Sequence, residues 1–110
     1  VNLVINESTA YKRDYKKIII NKHMIKEKEK IENIKNIILS SNNLQELLCS
    51  PYKNVYYITK KSSNLKEYYT AKINSKLRLI MRPEGEYPYN NLIIDKIEFV
   101  SIDDKHYGEG

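Results

Sequence analysis

The chain is poor in the residues that staple, chelate or cradle phosphate. Its single cysteine, Cys49, cannot form an intrachain disulfide and fits a reducing compartment. Beside the apolar Leu44, Leu47 and Leu48 it reads as a small core residue, not a nucleophile. Only three glycines are present, none in a Gly-rich phosphate loop, so nucleotide hydrolysis of that kind has no support. Two histidines and one distant cysteine lack zinc-ligand spacing. Asp103, Asp104 and His106 offer three donors without helical or finger spacing, and no metal or other cofactor is expected. No apolar run is long enough to cross a bilayer, so no membrane partner is expected. The opening VNLVINES has no basic region followed by an apolar core, so no secretory leader is expected. These absences together point to the cytoplasm.

What is there suits one soluble domain spanning residues 1–110, with a single core. Hydrophobic residues make up 41% and charged residues 30%, an ordinary globular balance, without repeats or a low-complexity linker. The net charge of +5 is unevenly spread. Residues 53–82 carry eight Lys or Arg against the single acid Glu67; residues 83–110 carry two lysines against seven acids. Such asymmetry makes a local field that attracts a polyanion or an acidic partner. Lysine used simply for solubility is the plainer alternative.

Residues 2–6 predict a short strand. Ser8 or Thr9 then caps a helix whose stripe is Tyr11, Tyr15, Ile18 and Ile19. IKEKEKIENIKNIILS predicts a second helix, with Ile31, Ile34 and Ile38 on one face, Ile37 widening it and mixed charge opposite. Asn43 and Glu46 have capping-box spacing before a short helix that Pro51 ends. Beyond Pro51 the period falls to two. NVYYIT, LKEYYTAKI, LRLIMR and LIIDKIEFVSI are candidate strands, the last bent near Asp95 and Lys96. Helices first and strands afterwards predict an α+β fold: a small antiparallel sheet with the N-terminal helices packed on one face.

The hairpin of Leu65–Ile73 and Leu77–Arg82 is the most informative segment. Matching its apolar faces needs a three-residue loop, 74–76, which sets Lys72 across from Arg78, Thr70 from Ile80 and Tyr68 from Arg82. Like charges directly opposite each other cost roughly 0.2–1 kcal/mol. An anion visiting this face relieves that repulsion, and guanidinium groups match phosphate oxygens in pairs. Tyr68 beside Arg82 suits the stacking of a splayed base. An exposed sheet face kept soluble by its charges remains the alternative.

NLKEYYTAKINSKLRLIMRP (64–83), followed by a strand ending in DDKHY (103–107), resembles the RelE/ParE superfamily of bacterial toxins, closest to the RelE and YoeB-like mRNA interferases. The opening ESTAYKRDYKKI is similar to that family's first helix, so the resemblance runs in order along nearly the whole chain. It implies a RelE/ParE-like fold and a type II toxin that cleaves mRNA on the ribosome without a metal. A cognate antitoxin would hold it inactive in a toxin–antitoxin oligomer. Carried over by position, Arg78 contacts the scissile phosphate, His106 and Tyr107 form the terminal acid–base or orienting pair, and Lys72 is a basic neighbour. Lys76, Arg82 and Tyr68 complete the expected RNA-binding set. YoeB-like toxins also use a glutamate upstream of the hairpin, and residues 47–66 contain no acid to match it. Three residues follow the His-Tyr pair, where YoeB-like toxins stop. Two alternatives share the fold: a ParE-like inhibitor of DNA gyrase, and a non-catalytic member that only binds an antitoxin or nucleic acid.

The chemistry such a site needs is a base for the 2′-OH proton, cations for charge on the phosphorane and an acid for the leaving 5′ oxygen. His106 has an unperturbed pKa near neutrality and is the candidate acid or base. His23, between helical segments and without a partner set, reads as structural.

Overall fold

One hydroxyl ties the first helix to the last strand. A computed structural model describes residues 2–60 and 67–104. In it, β1 (Val4–Glu7) runs into α1 (Thr9–Ile19) through Ser8, and the last strand of the described residues is β5 (Lys96–Asp103). Ser8 Oγ accepts the Tyr11 N–H at 3.0 Å and donates to the Val100 carbonyl at 2.6 Å. The Ser8 N–H donates to the Phe99 carbonyl at 3.1 Å. Ser8 thus caps the helix, as its residue type predicts, and also fastens it to the sheet. Tyr11 and Ile18 are buried along α1 and Tyr15 is half-buried, but Ile19 is 47% exposed. It lies about 100° round the helix from Ile18 and falls off the buried stripe.

After a 3₁₀ turn (Lys22–Met24), α2 (Ile25–Leu39) buries Ile31, Ile34 and Ile38 completely, the expected face. In α3 (Leu44–Cys49), Asn43 Oδ1 accepts the Glu46 N–H at 2.8 Å. Glu46 takes a bond from Asn42 Nδ2 at 3.1 Å, so the Asn43 side chain carries the cap. Leu44 and Leu47 are buried, whereas Cys49 is exposed. This corrects its reading as a core residue: five positions after Leu44 it has rotated to the outer side of the helix.

The candidate strand NVYYIT is also corrected. Pro51 stops α3, but its fixed φ of −63° suits a first helical turn, and α4 (Tyr52–Val55) begins at once. The Tyr56 and Ile58 N–H groups close back on the carbonyls of Tyr52 and Lys53, at 3.0 and 2.9 Å. Only β2 (Thr59–Lys60) is extended. Val, Tyr and Ile favour a strand only where neighbouring strands receive them. The KKSSN stretch lies largely outside the described residues.

The sheet has the order β1-β5-β4-β3-β2, with β3 (Tyr69–Lys72) and β4 (Arg78–Pro83) as its hairpin. It is antiparallel from β2 to β5, as expected, with β1 added parallel to β5 at the edge. Tyr69, Ala71, Leu79, Met81, Ile97 and Phe99 join the helical isoleucines in one apolar core. Tyr11 packs edge-on against Phe99, with ring centroids 5.2 Å apart.

The hairpin has the predicted register, Thr70 with Ile80 and Lys72 with Arg78. Asn74 shapes its turn by accepting the N–H groups of Lys76 at 2.8 Å and Leu77 at 2.6 Å. On the other side of β4, Ile80 pairs with Ser101 but Met81 with Phe99, leaving Val100 as a bulge. The irregularity expected near Asp95 therefore lies further along; Leu92 and Ile93 are exposed turn residues, and the strand starts only at Lys96. The extra residue returns Ile102 to the core side after Phe99.

Candidate functional site

Three adjacent strands put Lys72, Arg78 and Asp103 in one rung. Lys72 is the register partner of Arg78 on one side, and Asp103 is its partner on the other. Their side chains rise on the sheet face opposite the helices, because partners across a ladder share a face. The loop that holds Lys76 joins the two cationic strands, and its side is exposed.

Arg78 is held close to the backbone. Its Nη1 donates to the Asn74 carbonyl at 2.7 Å and to the Leu77 carbonyl at 3.2 Å, and the residue is only 9% exposed. The turn therefore orients the guanidinium before any ligand arrives. Beside it, Thr70 is fully buried and Ile80 is buried outside the helix-side core. At its centre this second face is thus buried, which speaks against the alternative of an exposed face kept soluble by its charges. Lys72 is half-buried, with Nζ 5.0 Å from the centroid of the Tyr57 ring.

Arg82 does not join this group. It stands four residues along β4 from Arg78, roughly 13 Å at strand spacing. Its Nε lies 3.7 Å from Glu98 Oε1, with both side chains partly exposed. Such a pair contributes at most about 1 kcal/mol. Tyr68 precedes the ladder, which begins at Tyr69, so its expected pairing with Arg82 is not formed. The hairpin's concentrated positive charge is also offset: β5 sets Asp103 next to Arg78 and Glu98 next to Arg82. Among the described residues of the hairpin, Lys72 and Lys76 stand toward the turn, away from the Arg82–Glu98 pair.

His106 and Tyr107 lie outside the described residues. What is described is the strand that leads to them, which ends beside Arg78. Asp14 of α1 steadies that strand end, its Oδ2 accepting the Ile102 N–H at 3.1 Å. A cleft of about 360 Å³ opens there, lined by Asp14, Lys17, Leu77, Ile102, Asp103 and Asp104. His23 is exposed on the 3₁₀ turn, away from this rung in sequence and element. Among the described residues, no group of three or more His, Cys, Asp or Glu is placed to hold a metal ion.

Two participants escape sequence reasoning. Asp103 reads from sequence as one of three donors in the DDKH stretch and not as a partner of Arg78, because that rung depends on the bulge at Val100. Tyr57 is hidden in the stretch misread as a strand. The signal that marks it is the triplet Tyr56-Tyr57-Ile58 directly after a helical turn, where one ring must face outward.

No protein-family model matches the chain, and no curated protein matches it by sequence. Solved structures do match in fold. A YoeB/ParE toxin from Agrobacterium tumefaciens is 12% identical, with 94% of this chain and 100% of that one covered and a TM-score of 0.64. The DinJ-YafQ toxin-antitoxin complex from E. coli is 18% identical over 94% of this chain and 93% of that one, with a TM-score of 0.63. The heterotetrameric YoeB-YefM toxin-antitoxin complex from Staphylococcus aureus is 25% identical over 97% and 100%, with a TM-score of 0.60.

Proposed function

We propose, from the premise that this chain has the fold of the RelE/ParE superfamily of toxins, that it is the toxin of a type II toxin–antitoxin pair and cleaves mRNA on the ribosome. The observation that carries this reading is the rung Lys72–Arg78–Asp103. It puts two cations side by side and brings the end of β5, three residues before His106 in the sequence, alongside them. His106 follows Asp103 by three residues, a span of at most roughly 11 Å for an extended chain. A phosphate on the cations is therefore within reach of the imidazole.

The ribose 2′-OH loses its proton to a base and its oxygen attacks the adjacent phosphorus. The bond to the 5′ oxygen breaks, and that oxygen takes a proton from an acid, leaving a 2′,3′-cyclic phosphate and a 5′-OH. Arg78 holds the non-bridging oxygens as negative charge accumulates, with its guanidinium already oriented by the turn carbonyls. Lys72 and Lys76 hold the flanking backbone. His106 serves as acid or base, and Tyr107 orients the phosphate or stacks on a base. Arg82, paired with Glu98, guides the strand from further along the sheet. The partners are the ribosome and its mRNA, together with a cognate antitoxin that covers the cations with acidic residues. The setting is the cytoplasm.

Primer extension on mRNA from cells expressing the chain tests the proposal. Cuts inside translated regions are expected, lost in His106→Ala and in Arg78→Ala. Intact mRNA with failed DNA supercoiling in a gyrase assay overturns it in favour of gyrase inhibition. Intact mRNA and normal supercoiling, with antitoxin still bound, indicate a non-catalytic binder.

A further inference from the structure

Tyr57 holds a backbone conformation that its residue type disfavours. Its φ is 51°, in the left-handed region, where a Cβ crowds the following carbonyl oxygen and glycine meets no such clash. The surroundings enforce it. The Tyr57 N–H reaches the Asn54 carbonyl at 3.4 Å, and the Ile58 N–H reaches Lys53 at 2.9 Å. The Lys72 N–H donates to the Tyr56 carbonyl at 2.8 Å, fastening this turn to the start of the hairpin loop. Ile58 is buried on one side and Tyr56 half-buried on the other, so the ring between them is driven outward and is 59% exposed.

A turn alone would be served better by glycine, so the ring is what the strain retains. That ring lies beside the cations. Lys72 Nζ sits 5.0 Å from its centroid, and Lys72 is the register partner of Arg78. The preceding tyrosine repeats the pattern, with Lys30 Nζ 5.4 Å from the Tyr56 centroid, and Lys53 is exposed on the same short helix. Rings alternating with cations are what single-stranded nucleic acid requires: π-faces for bases, positive charge for the backbone. An apolar protein partner would have no use for a lysine over each ring.

We propose that Tyr57 is a nucleotide-stacking residue, its open ring taking a base of single-stranded RNA while Lys72 meets that nucleotide's phosphate and hands the strand on to Arg78. The assignment rests on the RNA-cleaving reading above and deepens it. It also moves the stacking role from Tyr68, which stands before the ladder, to a ring in contact with the rung.

The test compares wild type, Tyr57→Gly and Tyr57→Phe by cleavage of ribosome-bound mRNA at subsaturating and saturating protein, alongside thermal melting and antitoxin binding. Tyr57→Gly is expected to melt at the same or a higher temperature. Its cleavage at subsaturating protein should fall roughly 5- to 100-fold, the worth of one stacked base, and recover at saturation. Tyr57→Phe keeps the π-face and should cleave as wild type does. Wild-type cleavage by Tyr57→Gly, a loss matched by lower melting, or weakened antitoxin binding alone would each overturn the assignment. If wild type leaves mRNA intact, the RNA-cleaving reading fails first and Tyr57 with it.

Discussion

The two faces of β4 are made by different rules. On one face Leu79 and Met81 enter the core with Ala71 and Phe99, and strict alternation of side chains is enough to put them there. On the other face Arg78, Ile80 and Arg82 acquire their meaning from partners on two other strands. One face holds the molecule together; the opposite face assembles charge, one rung at a time. Substitutions on the two sides should therefore separate stability from chemistry.

The largest effect should come from the core side. Phe99→Ala removes a fully buried ring that packs against Tyr11, and should cost about 3–5 kcal/mol in urea unfolding. Arg78→Ala, on the opposite face, should lower mRNA cleavage by roughly 10²–10³-fold, as expected for loss of a transition-state donor. Its unfolding free energy should change by only about 1–3 kcal/mol, from turn carbonyls left without their donor. A larger stability loss, with cleavage per folded molecule intact, would make Arg78 a structural residue and collapse the contrast.

Ser8→Ala sharpens the comparison where the faces meet. It removes both the cap of α1 and the bond to the bulge at Val100, and should cost about 1–2 kcal/mol in unfolding without changing cleavage per folded molecule. The smallest effect is seen only in alkali. Burial, followed by the hydrogen bond and charge of Glu32, pushes the Tyr15 phenol up to about 12. A raised phenol pKa means that the native state favours the neutral form. The associated stability is complete below pH 10 and is lost as pH rises from 10 through 12. Tyr15→Phe should therefore unfold at higher pH than wild type in a circular-dichroism titration. An unchanged or lower alkaline midpoint would refute this.

Periodicity made the core legible: Ile31, Ile34 and Ile38 on α2, the capping roles of Ser8 and Asn43, and the register of the β3–β4 hairpin. These depend on local spacing, which a sequence displays directly. The site was legible only in part. Lys72 and Arg78 were visible as partners because one short turn connects them. Asp103 was not visible as the third member, because a single extra residue at Val100 shifts everything beyond it. Tyr57 was hidden by its own strand-like composition, which local helical closure after Pro51 overrode. Cys49 shows the same limit, since apolar neighbours in sequence do not determine which side of a short helix a residue occupies.

A double-variant cycle in single-turnover cleavage of ribosome-bound mRNA tests most directly whether the end of β5 and the cationic rung act on one phosphate. If they do, Arg78→Ala combined with His106→Ala should be little worse than the more damaging single change, because groups that work as a unit are lost together. Losses that multiply, so that the double variant falls by the product of the two singles, would mean that the two groups act at separate places.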